Sequence, residues 1–250
     1  MGEKKELKST YALIGRNISY SFSKGYFSEK FKTELINAQY INFDIASIEE
    51  LPKLISSFPN LKGMNVTIPY KEDIIPFLNE LDPIAQQIGA VNTIQILPNG
   101  KLKGYNTDYY GFWKSIQPLL KTHHTKALIL GTGGASKAIA YALQKNHISY
   151  RFVSRTGTNK NLSYQDVTSS LLKEYTLIIN CTPLGTFPNT ELFPPIAYEF
   201  LNEKHLLFDL IYNPEKTTFL AKGETQGAST CNGYSMLIFQ AEASWKIWNM

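Results

Sequence analysis

The sequence predicts an α/β protein with a mostly parallel sheet, and three observations lead to this fold class. Apolar runs of strand length alternate with segments of helical spacing through the first half of the chain. In Lys126–Lys145 a short apolar run meets a glycine-rich turn, and a helical apolar pattern follows. Asn99-Gly100 separates two further apolar runs, which is a strong hairpin signal. We therefore expect a parallel sheet to which the hairpin adds an antiparallel edge.

The individual elements follow from where each apolar run begins and ends. Ser47 is an expected helix N-cap, and Pro69 ends a strand because proline cannot donate to a strand ladder. The expected strands are 11–14, 39–43, 62–68, 91–97, 101–105, 127–130, 150–154, 177–181 and 206–210. The expected helices are 25–36, 48–58, 73–78, 83–88, 109–120, a helix through 138–143, and 233–248.

Composition places the chain among globular proteins and excludes several function classes. Its 250 residues are 43% hydrophobic and 18% charged, enough for one large domain or two small ones. The net charge of +4 is spread thinly, which argues against nucleic acid and suits small anions. Cys181 and Cys231 have neither a disulfide-like nor a metal-site spacing, so we expect no metal and a reducing compartment. Because we find no signal peptide and no membrane-length apolar run, we expect a cytoplasmic protein.

The glycine-rich turn is a candidate dinucleotide site. Gly131 would allow the sharp turn, and Gly133 would let the backbone approach a pyrophosphate at the helix N-terminus. Ser136 stands where a third glycine is usual. Glycine turns between a strand and a helix also occur for purely structural reasons, so both interpretations stay open on this stretch alone.

Polar residues follow several first-half strands, where parallel sheets gather their ligands. Ser21 and Ser23 could surround a small carboxylate or simply cap the next helix. Thr67 and Lys71 follow the third strand, although a lone lysine after a proline turn is often a surface charge.

Two further polar positions lie on either side of the predicted hairpin, one at its start and one just after its end. Asn92 lies in IGAVNT, and Asp108 lies in GYNTD, which also fits an ordinary N-cap for the helix that follows.

Taken together these motifs are far more specific than any of them singly. In order and spacing, the strings NVTIPYK, IGAVNT and GYNTD, a GxGGA turn and a final GYSMLIFQA resemble the shikimate dehydrogenase family. The resemblance runs from Tyr11 to Trp248. It implies two α/β domains, a substrate domain formed by residues 1–106 plus 233–250 and an NADP-binding Rossmann domain formed by 107–232. The implied reaction is the reversible reduction of 3-dehydroshikimate to shikimate by NADPH.

The resemblance also implies residue roles. Lys71 and Asp108 would be the catalytic pair, and lysine suits proton donation to a ketone oxygen. The implied substrate-binding residues are Ser21, Ser23, Thr67, Lys71, Asn92, Asp108, Tyr212 and Gln240. The implied cofactor-binding residues are Gly131, Thr132, Gly133, Gly134, Ala135, Ser154, Arg155, Thr156, Leu210 and Gly233. The partners would be small molecules rather than nucleic acid or membrane, and the protein would be a monomer or homodimer.

The choice between the two nicotinamide cofactors rests on the strand that ends at Ser154. NAD-specific Rossmann domains usually carry an acidic residue near this point, whereas this chain has Arg155, with Lys160 close behind. A guanidinium suits the 2′-phosphate of NADP. Two alternatives stay open: a relative that also oxidises quinate or uses NAD, and a non-catalytic NADP-binding regulator.

Overall fold

The computed structural model describes residues 8–19 and 21–250. The first seven residues, where the sequence shows no signal peptide, lie outside the described residues, as does Tyr20. The chain forms two compact units. The first unit ends at Thr107 and resumes at Ala241–Met250, and the second is Asp108–Gln240. The two-domain division implied by the resemblance, with its second boundary at residue 233, stays a prediction.

The first unit contains a six-stranded mixed sheet in the order β2-β1-β3-β5-β6-β4. Its strands are β1 (Ser9–Gly15), β2 (Ala38–Asp44), β3 (Leu61–Val66), β4 (Glu80–Leu81), β5 (Thr93–Ile96) and β6 (Leu102–Tyr105). β1 pairs with β2 and β3 in parallel, and β5 pairs antiparallel with both β3 and β6. The predicted hairpin is therefore confirmed. Its predicted edge position is wrong, because β4 pairs with β6, and Asn79 exchanges hydrogen bonds with Leu102 beside that pairing.

The helices of the first unit show where local sequence signals decide the boundaries. They are α1 (Phe22–Thr33), α2 (Leu51–Ser57) and α3 (Pro83–Ile88). α1 begins earlier than expected because Ser21 caps it. The helix expected over 73–78 is wrong: only a 3₁₀ helix, Ile75–Phe77, forms there, and Pro76 lacks the N–H that a longer helix needs.

An aromatic cluster packs the C-terminal part of the last helix, α8 (Tyr234–Trp248), within the first unit, to which the helix belongs from Ala241 onward. The Trp248 ring stacks on Tyr11 with centroids 4.9 Å apart, and its Nε1 donates to Ile94 O at 3.0 Å. Gly63 lies so close that an added Cβ would be 2.3 Å from the Trp248 ring. The C-terminal segment thus belongs to this core.

The second unit contains a six-stranded parallel sheet in the order β12-β11-β10-β7-β8-β9. Its strands are β7 (Lys126–Leu130), β8 (Ser149–Ser154), β9 (Leu162–Ser163), β10 (Leu177–Asn180), β11 (Leu206–Asp209) and β12 (Ser229–Cys231). Counted from β7 this is the 3-2-1-4-5-6 order of a doubly wound dinucleotide-binding fold. The predicted α/β class with mostly parallel sheets is confirmed.

The helices of the second unit are α4 (Asp108–Ile116), α5 (Gly134–Lys145), α6 (Ser169–Glu174) and α7 (Thr218–Thr225). α4 ends before the expected residue 120 because Pro118 lies in a separate 3₁₀ helix, Gln117–Leu119. The glycine turn and the helix after it are confirmed as the β7–α5 connection. The sequence interpretation did not include α6, α7, β9 or β12.

A buried histidine of the second unit makes its stability depend on pH. His205 Nδ1 accepts from Asn202 N at 3.1 Å, so its Nε2 carries the proton and donates to Leu172 O at 3.0 Å. Burial lowers the pKa of His205, although its backbone hydrogen bonds partly offset this. His124 is held by main-chain groups in the same way, and burial also lowers its pKa.

We expect the wild-type protein to lose stability through these histidines as pH falls from about 7.5 to about 5.5. Their pKa values are lower in the folded than in the unfolded chain, so the unfolded chain binds more protons as the medium is acidified. His205→Asn should lower the unfolding free energy at the higher pH but make its fall with acidification shallower. Urea unfolding at the two pH values measures this. His147→Asn, at an exposed histidine, is the control and should keep the wild-type slope; an unaltered slope in His205→Asn would contradict the assignment.

Candidate functional site

The turn after β7 lies at the topological switch of the second sheet. β7 has β8 on one side and β10 on the other, and ligands of such sheets bind beyond the strand ends at this point. Gly131 has φ +102°, a conformation that favours glycine, and its N–H donates to Val153 O at 2.8 Å. An added Cβ would be 3.1 Å from Thr182 Cγ2. Gly131 therefore makes the sharp turn that the sequence predicts.

The N-terminus of α5 leaves an open surface for an anion. Gly133 is the N-cap, exposed to solvent, and an added Cβ would meet nothing within 4 Å. Thr132 beside it is also exposed, and Gly134 and Ala135 open the helix. Ser136, in place of the usual third glycine, is buried and donates its hydroxyl to Gly133 O at 2.7 Å. A small serine therefore fits where the pattern has glycine.

The end of β8 presents a cation and hydroxyl groups. The Ser154 hydroxyl donates to Thr156 O at 2.7 Å, which folds the chain back after the strand. Arg155 and Thr156 are exposed. Burial raises the pKa of the Tyr164 phenol, and the nearby charge of Arg155 opposes that shift. From Ser154 to Ser163 the sequence contains no carboxylate.

A buried carboxylate organises the ends of β10 and β11. Asp209 is fully buried and accepts from Asn180 Nδ2 (3.0 Å), Ile211 N (3.0 Å) and Thr217 Oγ1 (2.6 Å). Burial raises its pKa to about 6, although the three hydrogen bonds favour the charged form. Asp209 thereby anchors the segment that carries Leu210. The sequence interpretation gave it no role.

Gly233 is a glycine for a reason that the sequence did not reveal. Its N–H donates to Ile211 O at 3.0 Å. An added Cβ would lie 2.1 Å from Leu210 O and 2.6 Å from Leu210 C, which no real side chain permits. The close approach is therefore to the protein's own backbone, and the role of Leu210 and Gly233 at a nicotinamide stays a prediction.

Three predicted substrate residues belong to the second unit. Asp108 is buried at the first position of α4, and its charge contributes to the raised pKa of the Cys181 thiol, whose largest cause is burial. Gln240 is 6% exposed, and its Nε2 donates to Leu237 O at 3.0 Å within α8. Tyr212 is half-buried after β11.

The two candidate serines have different surroundings in the first unit. Ser21 is the N-cap of α1, and its hydroxyl oxygen accepts from Lys24 N at 3.3 Å. The capping interpretation therefore fits Ser21. The capping bond uses the hydroxyl oxygen as an acceptor and does not involve the hydroxyl proton. Ser23 is buried within the first turn of α1.

The turn after β3 positions Thr67 and Lys71. Thr67 N donates to Ile14 O at 2.9 Å, and Lys71 O accepts from Val91 N at 2.7 Å. Between them Tyr70 is buried, and its hydroxyl donates to Ile45 O at 2.7 Å. Tyr70, which the sequence interpretation passed over, fixes this turn. Lys71 is half-buried, and the choice between a catalytic role and a surface charge stays a prediction.

Asn92 is held by a dense set of hydrogen bonds. Its Oδ1 accepts from Thr107 N at 2.7 Å and from Thr93 Oγ1 at 3.0 Å, and its Nδ2 donates to Thr107 Oγ1 at 3.0 Å. At 2% exposure the amide is locked in one orientation. Lys71 and Asp108 belong to different units, and their pairing stays a prediction.

Two classes of feature are missing from the part of the chain that the structure describes. Residues 8–19 and 21–250 contain no group of three or more His, Cys, Asp or Glu side chains able to hold a metal ion. Within the same ranges, none of the helices has both the length and the apolar character needed to cross a membrane.

Comparisons with known proteins agree with the motifs. Residues 13–94 match the family model described as shikimate dehydrogenase substrate binding domain. The shikimate dehydrogenase (NADP(+)) of Clostridium botulinum is 38% identical over 250 residues, covering 96% of each chain. That of Methanosphaera stadtmanae is 36% identical over 254 residues, covering 94% of this chain and 89% of the relative.

A solved structure shows the same fold over nearly the whole chain. It is the Thermus thermophilus enzyme in complex with NADP(H) and shikimate, which superposes with a TM-score of 0.84 at 27% identity, covering 96% of this chain and 92% of that one. The resemblance carried by the NVTIPYK, IGAVNT and GYNTD strings is confirmed. The chain belongs to the shikimate dehydrogenase family.

Proposed function

We propose that this chain catalyses the reversible reduction of 3-dehydroshikimate to shikimate by NADPH, a step toward chorismate and the aromatic amino acids. Membership of the family makes the chain an NADP-dependent oxidoreductase. The observation that carries the specific reaction is the identity of 38% over 96% of both chains to a relative named for that activity, together with the NVTIPYK, IGAVNT and GYNTD strings of this sequence.

The first unit supports the substrate half of the proposal. Ser21 and Ser23 would bind the carboxylate at the start of α1, where helix N–H groups also favour an anion. Thr67 and Asn92 would bind ring hydroxyls, and Tyr212 and Gln240 would contribute from the second unit.

The chemistry requires a proton for the ketone oxygen and a hydride for its carbon. NADPH, when bound, supplies the hydride. The Lys71 ammonium would donate the proton and stabilise the negative charge that develops on the oxygen. Asp108 would favour the charged form of Lys71 and accept a hydrogen bond from a substrate hydroxyl. In the oxidative direction Lys71 would take the proton back.

The second unit supports the cofactor half. The N-terminus of α5 is open at Gly133, where an added Cβ would meet nothing within 4 Å, so residues Gly131 to Ala135 would bind the pyrophosphate there. Ser154, Arg155 and Thr156 would bind the 2′-phosphate, and Leu210 and Gly233 would contact the nicotinamide. We propose that the second unit, Asp108–Gln240, is the NADP-binding domain that the resemblance implies for residues 107–232.

The remaining assignments are part of the same proposal. We expect a cytoplasmic monomer or homodimer that binds small molecules and neither nucleic acid nor membrane. The two cysteines are both free thiols, in agreement with a reducing compartment.

The direct test supplies shikimate or quinate with either NADP⁺ or NAD⁺ and follows the absorbance of the reduced nicotinamide. The proposal expects turnover with shikimate and NADP⁺ well above the other three combinations. Equal or greater activity with quinate or NAD⁺ would favour the broader relative, and no turnover with any pair would favour the non-catalytic regulator.

Arg155→Asp should reverse the preference between the two cofactors. It removes the cation expected at the 2′-phosphate and adds a carboxylate that repels it, so we expect KM for NADP⁺ to rise about tenfold or more. The same carboxylate can accept from the ribose 2′-hydroxyl of NAD⁺, so KM for NAD⁺ should fall. Arg151→Ala, on the strand β8 that leads to Arg155, is the control. If neither KM moves, Arg155 does not read the 2′-phosphate.

A further inference from the structure

Four buried side chains of the first unit form a closed hydrogen-bond ring that includes the candidate substrate residue Asn92. Asn92 Nδ2 donates to Thr107 Oγ1 at 3.0 Å, and Thr107 Oγ1 lies 3.2 Å from Ser244 Oγ. Ser244 Oγ lies 2.7 Å from Thr93 Oγ1, and Thr93 Oγ1 donates back to Asn92 Oδ1 at 3.0 Å. None of the four residues is more than 3% exposed, so water competes little for these hydrogen bonds.

Ser244 is the member of the ring that comes from a distant part of the chain. Asn92 and Thr93 lie at the start of the β5–β6 hairpin, and Thr107 follows its end. Ser244 is 151 residues beyond Thr93, on the part of α8 that belongs to the first unit. The hairpin therefore supplies three members of the ring, and the C-terminal helix closes it.

The ring holds the Asn92 amide in one orientation. The main-chain N–H of Thr107 can only donate, and its nitrogen lies 2.7 Å from Asn92 Oδ1. The oxygen end of the amide must therefore face this N–H, which turns the NH₂ group toward the Thr107 hydroxyl. Thr93 and Thr107 thus hold the amide from both of its ends.

The Ser244 hydroxyl keeps the two threonine hydroxyls in these roles. Thr93 Oγ1 and Thr107 Oγ1 lie 3.3 Å apart, so without Ser244 each becomes the nearest replacement partner of the other. A threonine hydroxyl has only one proton to donate. If Thr93 donates its proton to Thr107, it no longer donates to Asn92 Oδ1, and the amide loses part of its support.

Ser244 itself is fixed from the first sheet. Asn65 Nδ2 on β3 donates to Ser244 Oγ at 3.0 Å, and the Tyr40 hydroxyl donates to Asn65 Oδ1 at 2.8 Å. One turn beyond Ser244, Trp248 Nε1 donates to Ile94 O on β5 at 3.0 Å. The ring is therefore closed by a hydroxyl whose own position is well determined.

We propose that Ser244 is a positioning residue for substrate binding, because its hydroxyl closes the ring that orients Asn92 toward a hydroxyl group of shikimate. This inference rests on the proposed function, since it takes Asn92 as a ligand of shikimate. Ser244 acts through Thr93 and Thr107 and takes no part in hydride or proton transfer. Its loss should therefore weaken binding and leave the chemical step almost unchanged.

Ser244→Ala opens the ring. We expect Kd for shikimate, measured by calorimetric titration of the whole protein, to rise about fivefold, the worth of one neutral hydrogen bond. We expect kcat to stay within about twofold of the wild type. In an Asn92→Ala background the same substitution should leave Kd unchanged, because the amide that the ring holds is gone. Ser115→Ala is the control, at a buried serine of α4 whose hydroxyl donates to Gly111 O at 2.8 Å, and should keep the wild-type Kd.

The outcomes separate this inference from the function on which it rests. Unchanged Kd in Ser244→Ala, an equal rise with and without the Asn92 amide, or a fall in kcat as large as the rise in Kd would overturn the positioning role while leaving shikimate as the ligand. Unfolding midpoints show which variants are folded at the titration temperature. Ser244→Cys, with a weaker hydrogen-bonding group of similar size, should raise Kd in the same direction and carries the test if the alanine variant does not fold. If the wild-type protein takes up no shikimate, the proposed function fails and this inference fails with it.

Discussion

Replacing Lys71 by alanine is expected to lower kcat by about 10²–10⁴ while KM for shikimate stays within a few-fold. In the proposed reaction its ammonium gives up a proton only as the ketone oxygen becomes negative, so its loss affects the transition state more than the bound substrate. The alanine variant keeps the bond from Val91 N to Lys71 O, because that bond uses the main chain. Steady-state rates with shikimate and NADP⁺ measure the effect.

Two further variants show what kind of role Lys71 has. Lys71→Arg keeps a positive charge but cannot exchange a proton near neutral pH, so it should lose nearly as much rate as the alanine variant. Lys62→Ala, at an exposed lysine near the start of β3, should keep full activity. Near-normal kcat in Lys71→Ala would remove the residue from the mechanism, and near-normal kcat in Lys71→Arg would leave it only an electrostatic role.

Strong local signals predicted most of the elements that position the candidate site. The β7–α5 turn was found because Gly131 and Gly133 interrupt an otherwise apolar strand–helix sequence, and the positive φ of Gly131 favours glycine there. The β5–β6 hairpin was found because Gly100, at φ +79°, is a turn residue that few other types replace. Such positions are set by backbone geometry within a few residues, so they are visible in the sequence.

The parts that were missed depend on contacts between distant residues. β4 and β9 are two residues long and have no periodicity of their own, so only their pairing with β6 and β8 defines them. Asp209 looked like one more polar residue at a strand end, because its three donors come from elsewhere in the fold. The buried Asn65 amide, which accepts from the Tyr40 hydroxyl and donates to Asn92 O, likewise depends on contacts that no sequence pattern encodes.

Gly233 illustrates the same limit and leads to the second large expected effect. The sequence marks it as a glycine before a helix and suggests a ligand as the reason. The structure gives a different reason, since a methyl group here would overlap the carbonyl of Leu210. That carbonyl has little freedom to move, because Leu210 N donates to Asn180 O at 3.0 Å and Asp209 before it accepts three hydrogen bonds.

Gly233→Ala should therefore lower the free energy of unfolding by about 3 kcal/mol or more, at the upper end of what overpacking costs. Relief would require the β11 end to move, and that motion would break the buried hydrogen bonds of Asp209, whose carboxylate would then lack partners. Urea unfolding of the purified variant measures the change. Gly133→Ala is the matched control in the same unit: its Cβ meets nothing within 4 Å, so its stability should stay within about 0.5 kcal/mol of the wild type. If Gly233→Ala is as stable as Gly133→Ala, the contact with Leu210 does not constrain this position, and the glycine must serve a ligand after all.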